Sequence, residues 1–130
     1  LYNHVNGLPE LRKQLAIYAL GKLLEEMVDA ALGRAGDEAV HAVALAYFNF
    51  ARQHPGLYEA SLSAPDPLDP DIHIIGDKIV DLILRVMEPY QLEGDDKIHA
   101  VRGLRSIVHG FAALEIKQQF NMSIDRSESL

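Results

Sequence analysis

The chain has 130 residues, enough for one domain with its own core, and 48% of them are hydrophobic. Its formal net charge of -7 opposes phosphate contacts, which supply most nucleic-acid affinity, so we expect these residues alone not to bind DNA. The lack of cysteine excludes disulfides and thiolate metal sites and fits a reducing, cytoplasmic compartment. No segment has the length and apolarity of a membrane span or the pattern of a signal peptide.

A first long helix is predicted from Pro9 to about Ala31. Pro9 lacks an N–H that the first helical turn does not use, and Glu10 favours the positive end of a helix. Apolar residues then recur at three- and four-residue spacing, which predicts the buried stripe. This stripe consists of Leu11, Leu15, Tyr18, Leu24, Met27, Val28 and Ala31. The residues before Asn6-Gly7 are predicted to be a separate piece of helix that this dipeptide ends.

The second helix has the most regular apolar stripe in the chain. Gly33 and Gly36 are expected to end the first helix, and Asp37 is expected to cap the second. The stripe consists of Val40, Val43, Ala44, Tyr47, Phe50, Ala51 and His54. Pro55 then ends this helix and opens a short third one through about Leu62.

Three prolines predict a loop over residues 64–71. Asp69 caps a fourth helix that has Pro70 at its first position and closes near Pro89 and Gly94. A long fifth helix is predicted from residue 95 or 96 to about residue 120, and a sixth starts near residue 125. No segment alternates at period two, so the sequence predicts an all-α bundle of about six helices.

The string LYNHVNGLPELRKQLA, residues 1–16, resembles the junction between the recognition helix and the connecting helix of TetR-family transcriptional regulators. FARQHPGLYEA (50–60) and IHAVRGLRSIVHGFAALE (98–115) resemble the ligand-binding C-terminal class of that family called WHG, with Val108 where some relatives carry tryptophan. The resemblance implies a remnant of the helix-turn-helix domain over residues 1–7 and a regulatory, dimerising domain over 8–130. Tyr2 and His4 then fall at DNA-contacting positions, and Leu8 replaces a common phosphate-binding lysine.

The family resemblance also implies how the domain works. Such a repressor is a homodimer in which helices pair in a four-helix arrangement, and it senses a small molecule. Ligand binding would swing the first helix as a lever and change the spacing of two recognition helices, which operator half-sites fix. Operator DNA is therefore an expected partner through a reader domain that lies mostly outside these residues.

Small residues recur along one stripe of the fifth helix: Gly103, Ser106, Gly110 and Ala113. Glycine in mid-helix costs roughly 1 kcal/mol relative to alanine, so close approach of another helix is the expected reason. We expect that helix to belong to the second subunit, with a helix of the same chain as the alternative.

Arg102, Arg105 and His109 lie on the neighbouring, otherwise apolar stripe of the fifth helix. One reading places Arg105 and His109 at a cavity, where they would orient a carboxylate or carbonyl of an apolar ligand. The other reading is a structural ion pair with Glu26, Asp29 or Glu59 and a hydrogen-bonded core histidine.

An aromatic series runs through the second and third helices, and two methionines accompany it. The members are Tyr47, Phe50, His54, Tyr58, Met27 and Met87. They are the predicted walls of a mostly apolar effector cavity enclosed by the first, second, fourth and fifth helices, and ordinary core packing is the alternative for each one.

No catalytic, cofactor or metal motif is found in the sequence: there is no P-loop, GxGxxG, nucleophile elbow or histidine pair at four-residue spacing. The family resemblance implies a ligand-responsive transcriptional repressor, and the absence of such motifs leads us to expect neither an enzyme nor a cofactor. A helical dimeric binding or scaffold module with no DNA role is the alternative.

Overall fold

A computed structural model describes residues 4–66, 68–103 and 106, with side chains from residue 7 onward. Within these ranges the chain is helical and contains no strand, which confirms the all-α prediction. The helices are α1 (His4–Ala31), α2 (Gly36–Gln53), α3 (Pro55–Leu62) and α4 (Pro70–Val86), followed by a 3-10 turn (Glu88–Tyr90). A fifth helix, α5, is described over residues 95–103. The predicted sixth helix falls outside the described residues.

Helix α1 is continuous through the dipeptide that was expected to end a separate piece of helix. It runs from His4 to Ala31 with Pro9 inside it, so the predicted break at Asn6-Gly7 is wrong. The physical reason is that Gly7 keeps a helical backbone and is not among the glycines with positive φ. Pro9 removes one backbone donor near the helix start, and a single lost hydrogen bond there does not stop the helix. The division into residues 1–7 and 8–130 stays a prediction.

The core-facing side of α1 differs from the predicted stripe. Its buried residues are Ala16, Ala19, Leu23 and Met27. Leu11, Leu15 and Tyr18 were expected in the core, but they are 55%, 44% and 54% exposed. Small alanine side chains let α2, α3 and α4 approach α1 closely, and this close packing leaves the larger apolar residues of the first half outside.

The core is built where α2 crosses the second half of α1. On α2, the predicted residues Val43, Tyr47, Phe50 and Ala51 are buried, as expected, because they recur on one face of the helix. One cluster joins residues of all five helices: Leu23, Met27, Val43, Tyr47, Phe50, Ala51, Tyr58, Ile79, Ile83 and Val101. The described helices therefore share a single core.

The turn between α1 and α2 relies on glycine, as predicted. Gly33 and Gly36 have φ of 73° and 60°, a region that costs a residue with a Cβ considerably more. The expected cap by Asp37 is wrong: Ala35 is the N-cap residue and makes no side-chain cap bond. Asp37 lies in the first turn and instead accepts a hydrogen bond from the Tyr90 hydroxyl, which ties α2 to the 3-10 turn.

The start of α4 is as the sequence predicts. Pro70 opens the helix, and the Asp69 carboxylate accepts a hydrogen bond from the Asp71 backbone N–H at 2.9 Å. Lys13 of α1 reaches this helix end, with its ammonium 3.1 Å from Asp69 and 2.9 Å from Asp71. The first half of α1 is thereby held to the start of α4.

Candidate functional site

Four of the predicted effector-site residues meet in the interior. Met27, Phe50 and Tyr58 are each 1% exposed, and Tyr47 is 8% exposed. The Tyr47 and Tyr58 rings pack edge to face with centroids 5.8 Å apart, and their hydroxyls are 3.2 Å apart in a hydrogen bond. Of these four residues only Phe50 also lines the cleft described next, and the role of all four in ligand binding stays a prediction.

An open cleft of about 410 Å³ lies between α1, α2 and α3. Its walls are formed by Tyr18, Lys22, Glu25, Glu26, Asp29, Phe50, His54 and Leu57. Two predicted site residues therefore belong to it: the buried Phe50 side chain and the His54 imidazole at the exposed end of α2. Their rings are 5.5 Å apart and tilted, so the α2 side of the cleft has an aromatic surface.

The α1 side of this cleft is polar and mostly acidic. The Lys22 ammonium lies 3.4 Å from the Glu25 carboxylate and 5.8 Å from the centre of the Tyr18 ring. The Oε2 atom of Glu26 is buried and has no hydrogen-bond partner among the described residues. A buried carboxylate oxygen without a donor is unfavourable, since it has lost its water and gained nothing in return.

Met87 is partly buried against the core cluster that contains Met27, Tyr47, Phe50 and Tyr58. It borders a second open cleft, of about 780 Å³, at the end of α4. The other residues of this cleft are Leu84, Arg85, Glu88, Gln91, Leu92, Glu93 and Lys97. The turn that shapes this cleft has Gln91 and Gly94 at positive φ, and Asp37 is bonded to its Tyr90. That hydrogen bond raises the pKa of the Tyr90 hydroxyl.

The predicted interface and DNA-contact residues are described only in part. Gly103 and Ser106 are exposed and helical, and a Cβ added at Gly103 would meet nothing within 4 Å. His4 is the first residue of α1, without a described side chain. Tyr2, Arg105, His109, Gly110 and Ala113 lie outside the described residues.

Sequence reasoning did not place Tyr18 and Glu26 in a ligand cleft. Tyr18 was assigned to the core by its spacing, and Glu26 was considered only as a partner for arginine. A signal was available in the spacing of Tyr18, Lys22, Glu25 and Asp29, which puts them along one side of α1. Spacing alone gives no sign that α2 and α3 stop short of this side and leave a cleft.

Neither a metal site nor a membrane span is found in the part of the chain that the structure describes. No three histidine, aspartate or glutamate side chains are grouped there in a way that could hold a metal ion. None of the described helices combines the length and apolarity needed to cross a bilayer.

Comparison with known proteins identifies the class to which this helical body belongs. Residues 40–130 match the family model described as the tetracyclin repressor-like C-terminal domain. The uncharacterized HTH-type transcriptional regulator YobS of Bacillus subtilis (strain 168) is 42% identical over 131 residues, which cover 100% of this chain and 68% of that protein. An uncharacterized HTH-type transcriptional regulator of Mycobacterium tuberculosis is 32% identical over 117 residues, 89% of this chain and 54% of that relative.

The chain belongs to the TetR-like transcriptional regulators and carries their C-terminal domain. This confirms the resemblance drawn from residues 1–16, 50–60 and 98–115. The chain spans about two thirds of the length of the Bacillus relative and about half of the length of the mycobacterial one.

Proposed function

We propose that this chain is the effector-sensing and dimerising domain of a ligand-responsive repressor that acts in the cytoplasm, where its operator lies. The DNA reader would be a helix-turn-helix of which residues 1–7 are the last part, and Tyr2 and His4 would contact operator DNA. The effector would be a small, mostly apolar molecule, and two copies of the chain would pair through the stripe of Gly103, Ser106, Gly110 and Ala113.

The observation that carries this proposal is that the two halves of α1 lie in different surroundings, the second half in the core and at the cleft and the first half largely exposed. The helix has 28 residues and is therefore about 42 Å long at 1.5 Å per residue. Its second half supplies Leu23 and Met27 to the core and Glu26 to the cleft. Its first half presents Leu8, Leu11 and Leu15 to the outside, 58%, 55% and 44% exposed.

A helix built in this way can transmit a displacement. A ligand that enters the cleft pushes on the second half of α1, and the close-packed core resists gradual deformation. The shift therefore passes along the helix to the exposed leucines, where a reader domain could pack its own apolar surface. A change of reader spacing within a dimer weakens operator binding, because half-site separation is fixed.

The test compares two double variants of the full-length regulator. Arg12 and Gln14 lie on the exposed side of α1, and Arg12→Gly/Gln14→Gly softens the helix by about 1 kcal/mol per position relative to Arg12→Ala/Gln14→Ala. The full-length protein is first used to select operator sequences from random DNA. Small molecules are then screened for release of the bound operator, and fluorescence anisotropy measures that release for each variant.

We expect the alanine variant to release operator at the wild-type effector concentration, and the glycine variant to need several-fold more effector. Effector affinity of the free protein should be equal in both, since the cleft is untouched. Equal release by the two variants would contradict the lever mechanism. A full-length protein that selects no DNA sequence would favour a helical scaffold without a DNA role.

A further inference from the structure

Glu26 lines the cleft between α1, α2 and α3, and one of its oxygens is buried without a hydrogen-bond partner among the described residues. We infer that this cleft binds an organic cation: an amine on a compact aromatic or aliphatic body, whose ammonium donates to Glu26. The inference deepens the proposed function, because it gives the chemical class of the effector.

An ammonium would supply the hydrogen-bond donor that Glu26 lacks among the described residues. Glu26 lines the cleft, and its Oε2 atom is buried without a hydrogen-bond partner among the described residues, while the residue as a whole is half-buried. A side chain as flexible as glutamate could turn its carboxylate into water, so burial of one oxygen marks a place where a donor is needed. An ammonium supplies N–H groups and an opposite charge together, and such bonds are stronger than neutral ones.

The charged residues that line the cleft also favour a cation. Three carboxylates, of Glu25, Glu26 and Asp29, face one ammonium, that of Lys22. Lys22 already contacts Glu25 and the Tyr18 ring, so it does not neutralise Glu26. The excess of negative charge attracts a cation and repels carboxylate or phosphate ligands.

An apolar surface on α2 and α3 completes the cleft and suits the body of an amine. Phe50, Leu57 and the tilted His54 ring form that wall, and Tyr18 presents a further aromatic ring at the rim. A volume of about 410 Å³ lies within the range of small-molecule sites, roughly 300–1,000 Å³. An amine with one aromatic ring can therefore place its body against Phe50 and its ammonium at Glu26, with a cation–π contact to Tyr18.

The competing explanation is an ion pair within the chain. Arg105 was considered as a partner of Glu26 on sequence grounds, and it lies outside the described residues. The two explanations differ in what removal of the Glu26 charge does to the free protein. If Arg105 pairs with Glu26, Glu26→Gln leaves an unpaired cation and destabilises the fold. If the oxygen is unpaired, Glu26→Gln removes a buried charge and leaves stability equal or higher.

The experiment titrates the ¹⁵N-labelled, full-length regulator with 2-phenylethylamine, protonated at neutral pH, and with 2-phenylethanol, its neutral counterpart of similar size. Chemical-shift changes give the two dissociation constants. We expect the amine to bind at least about tenfold more tightly than the alcohol. Glu26→Gln should bring the two constants within about twofold of each other.

Glu25→Gln is the matched control, because it removes one carboxylate of the same helix that is exposed and already contacts Lys22. The preference for the amine should survive in this variant. Equal affinities in the wild type, or the same loss in both variants, would overturn the inference, since either result reduces the effect to general attraction by an acidic surface.

Thermal unfolding of Glu26→Gln, Arg105→Met and the double variant tests the internal pair. We expect Glu26→Gln to melt at or above the wild-type temperature and the effects of the two changes to add. A lower melting temperature with non-additive effects would assign Glu26 to Arg105 and overturn the inference.

The outcomes for the cation site and for the proposed function are separable. If amine binding depends on Glu26 but leaves operator affinity unchanged, the cation site is supported and the proposal that the regulator senses its effector through this cleft is contradicted. Release of operator by neutral effectors, together with no amine preference, supports the proposed function and overturns the cation site.

Discussion

The hydroxyl groups of Tyr47 and Tyr58 place a polar contact inside an otherwise apolar core. Both side chains are buried, and their hydroxyls are hydrogen-bonded at 3.2 Å. Burial of a hydroxyl is unfavourable unless a partner replaces water, so each of the two phenols makes burial of the other acceptable. The edge-to-face packing of the rings adds a preferred geometry that fixes α3 against α2.

At this scale we predict that Tyr47→Phe lowers the free energy of unfolding by about 1 kcal/mol, because the Tyr58 hydroxyl loses one buried partner. Urea unfolding followed by circular dichroism measures the change. Tyr18→Phe is the control: Tyr18 is 54% exposed and the ring is retained, so we expect a change below about 0.5 kcal/mol. Equal changes in the two variants would show that the hydroxyl pair contributes no stability.

At the scale of the elements, Lys13 links α1 to Asp69 and Asp71 at the start of α4. The Lys13 ammonium donates hydrogen bonds to Asp71 and Asp69, and these bonds raise the pKa of Lys13. The pKa of the Asp69 carboxyl is lowered, chiefly by the hydrogen bond from the Asp71 backbone N–H and further by Lys13. Asp69 thus has two roles, as the cap of α4 and as an anion for α1.

Two substitutions at Asp69 separate these roles. Asp69→Ala removes both the cap and the ion pair, whereas Asp69→Asn keeps a capping oxygen and removes the charge. We expect Asp69→Ala to lower the melting temperature by a few degrees at neutral pH and Asp69→Asn to lower it less. Equal melting temperatures would mean that only the charge, and not the cap, stabilises this corner.

The pH dependence of the same contact follows from the direction of each shift. Because the pKa of Asp69 is lowered on folding, its stabilisation is present above the unfolded value, about 3.9, and is lost as pH falls through the folded value. The melting temperatures of the wild type and of Asp69→Asn should therefore converge in acid. The pKa of Lys13 is raised on folding, so the stabilisation that Lys13 contributes is present below a pH of about 10.4. It is lost as the pH rises through the pKa of Lys13 in the folded state.

At the scale of the whole molecule, the described part of α5 has one side in the core and one side exposed. Val101 packs in the core, while Gly103 and Ser106 are exposed, with open space around Gly103. This arrangement leaves Gly103 and Ser106, the described part of the predicted small-residue stripe, available to a second subunit, which would give the domain its proposed homodimeric state.

We predict that Gly110→Leu separates the subunits, because a large side chain on this stripe holds two closely packed helices apart. Sedimentation velocity at tens of micromolar should show a dimer for the wild type and monomer or aggregate for the variant. Gly56→Leu, at an exposed position of α3 with nothing near its Cβ, should remain a dimer. A monomeric wild type at this concentration would refute the interface.

Local sequence determined where most helices begin and end. Asp69 and Pro70 start α4, Pro55 starts α3, and Gly33 takes the positive φ that ends α1. These signals act within one or two turns, so neighbouring residues contain all the necessary information. The buried face of α2 was predictable for a similar reason, since Val43, Tyr47 and Phe50 recur on one side of the helix, although Leu45 lies exposed on another.

Only the tertiary structure decided which side of α1 is buried and what Glu26 and Asp37 contact. Apolar residues occur on several sides of α1, so its periodicity does not select one; the core selects Ala16 and Ala19 because three helices pack closely there. Asp37 bonds Tyr90, 53 residues away, and the Glu26 oxygen is buried where α2 and α3 meet α1. Contacts between distant segments depend on how helices pack, and the spacing of residues within one helix does not contain that information.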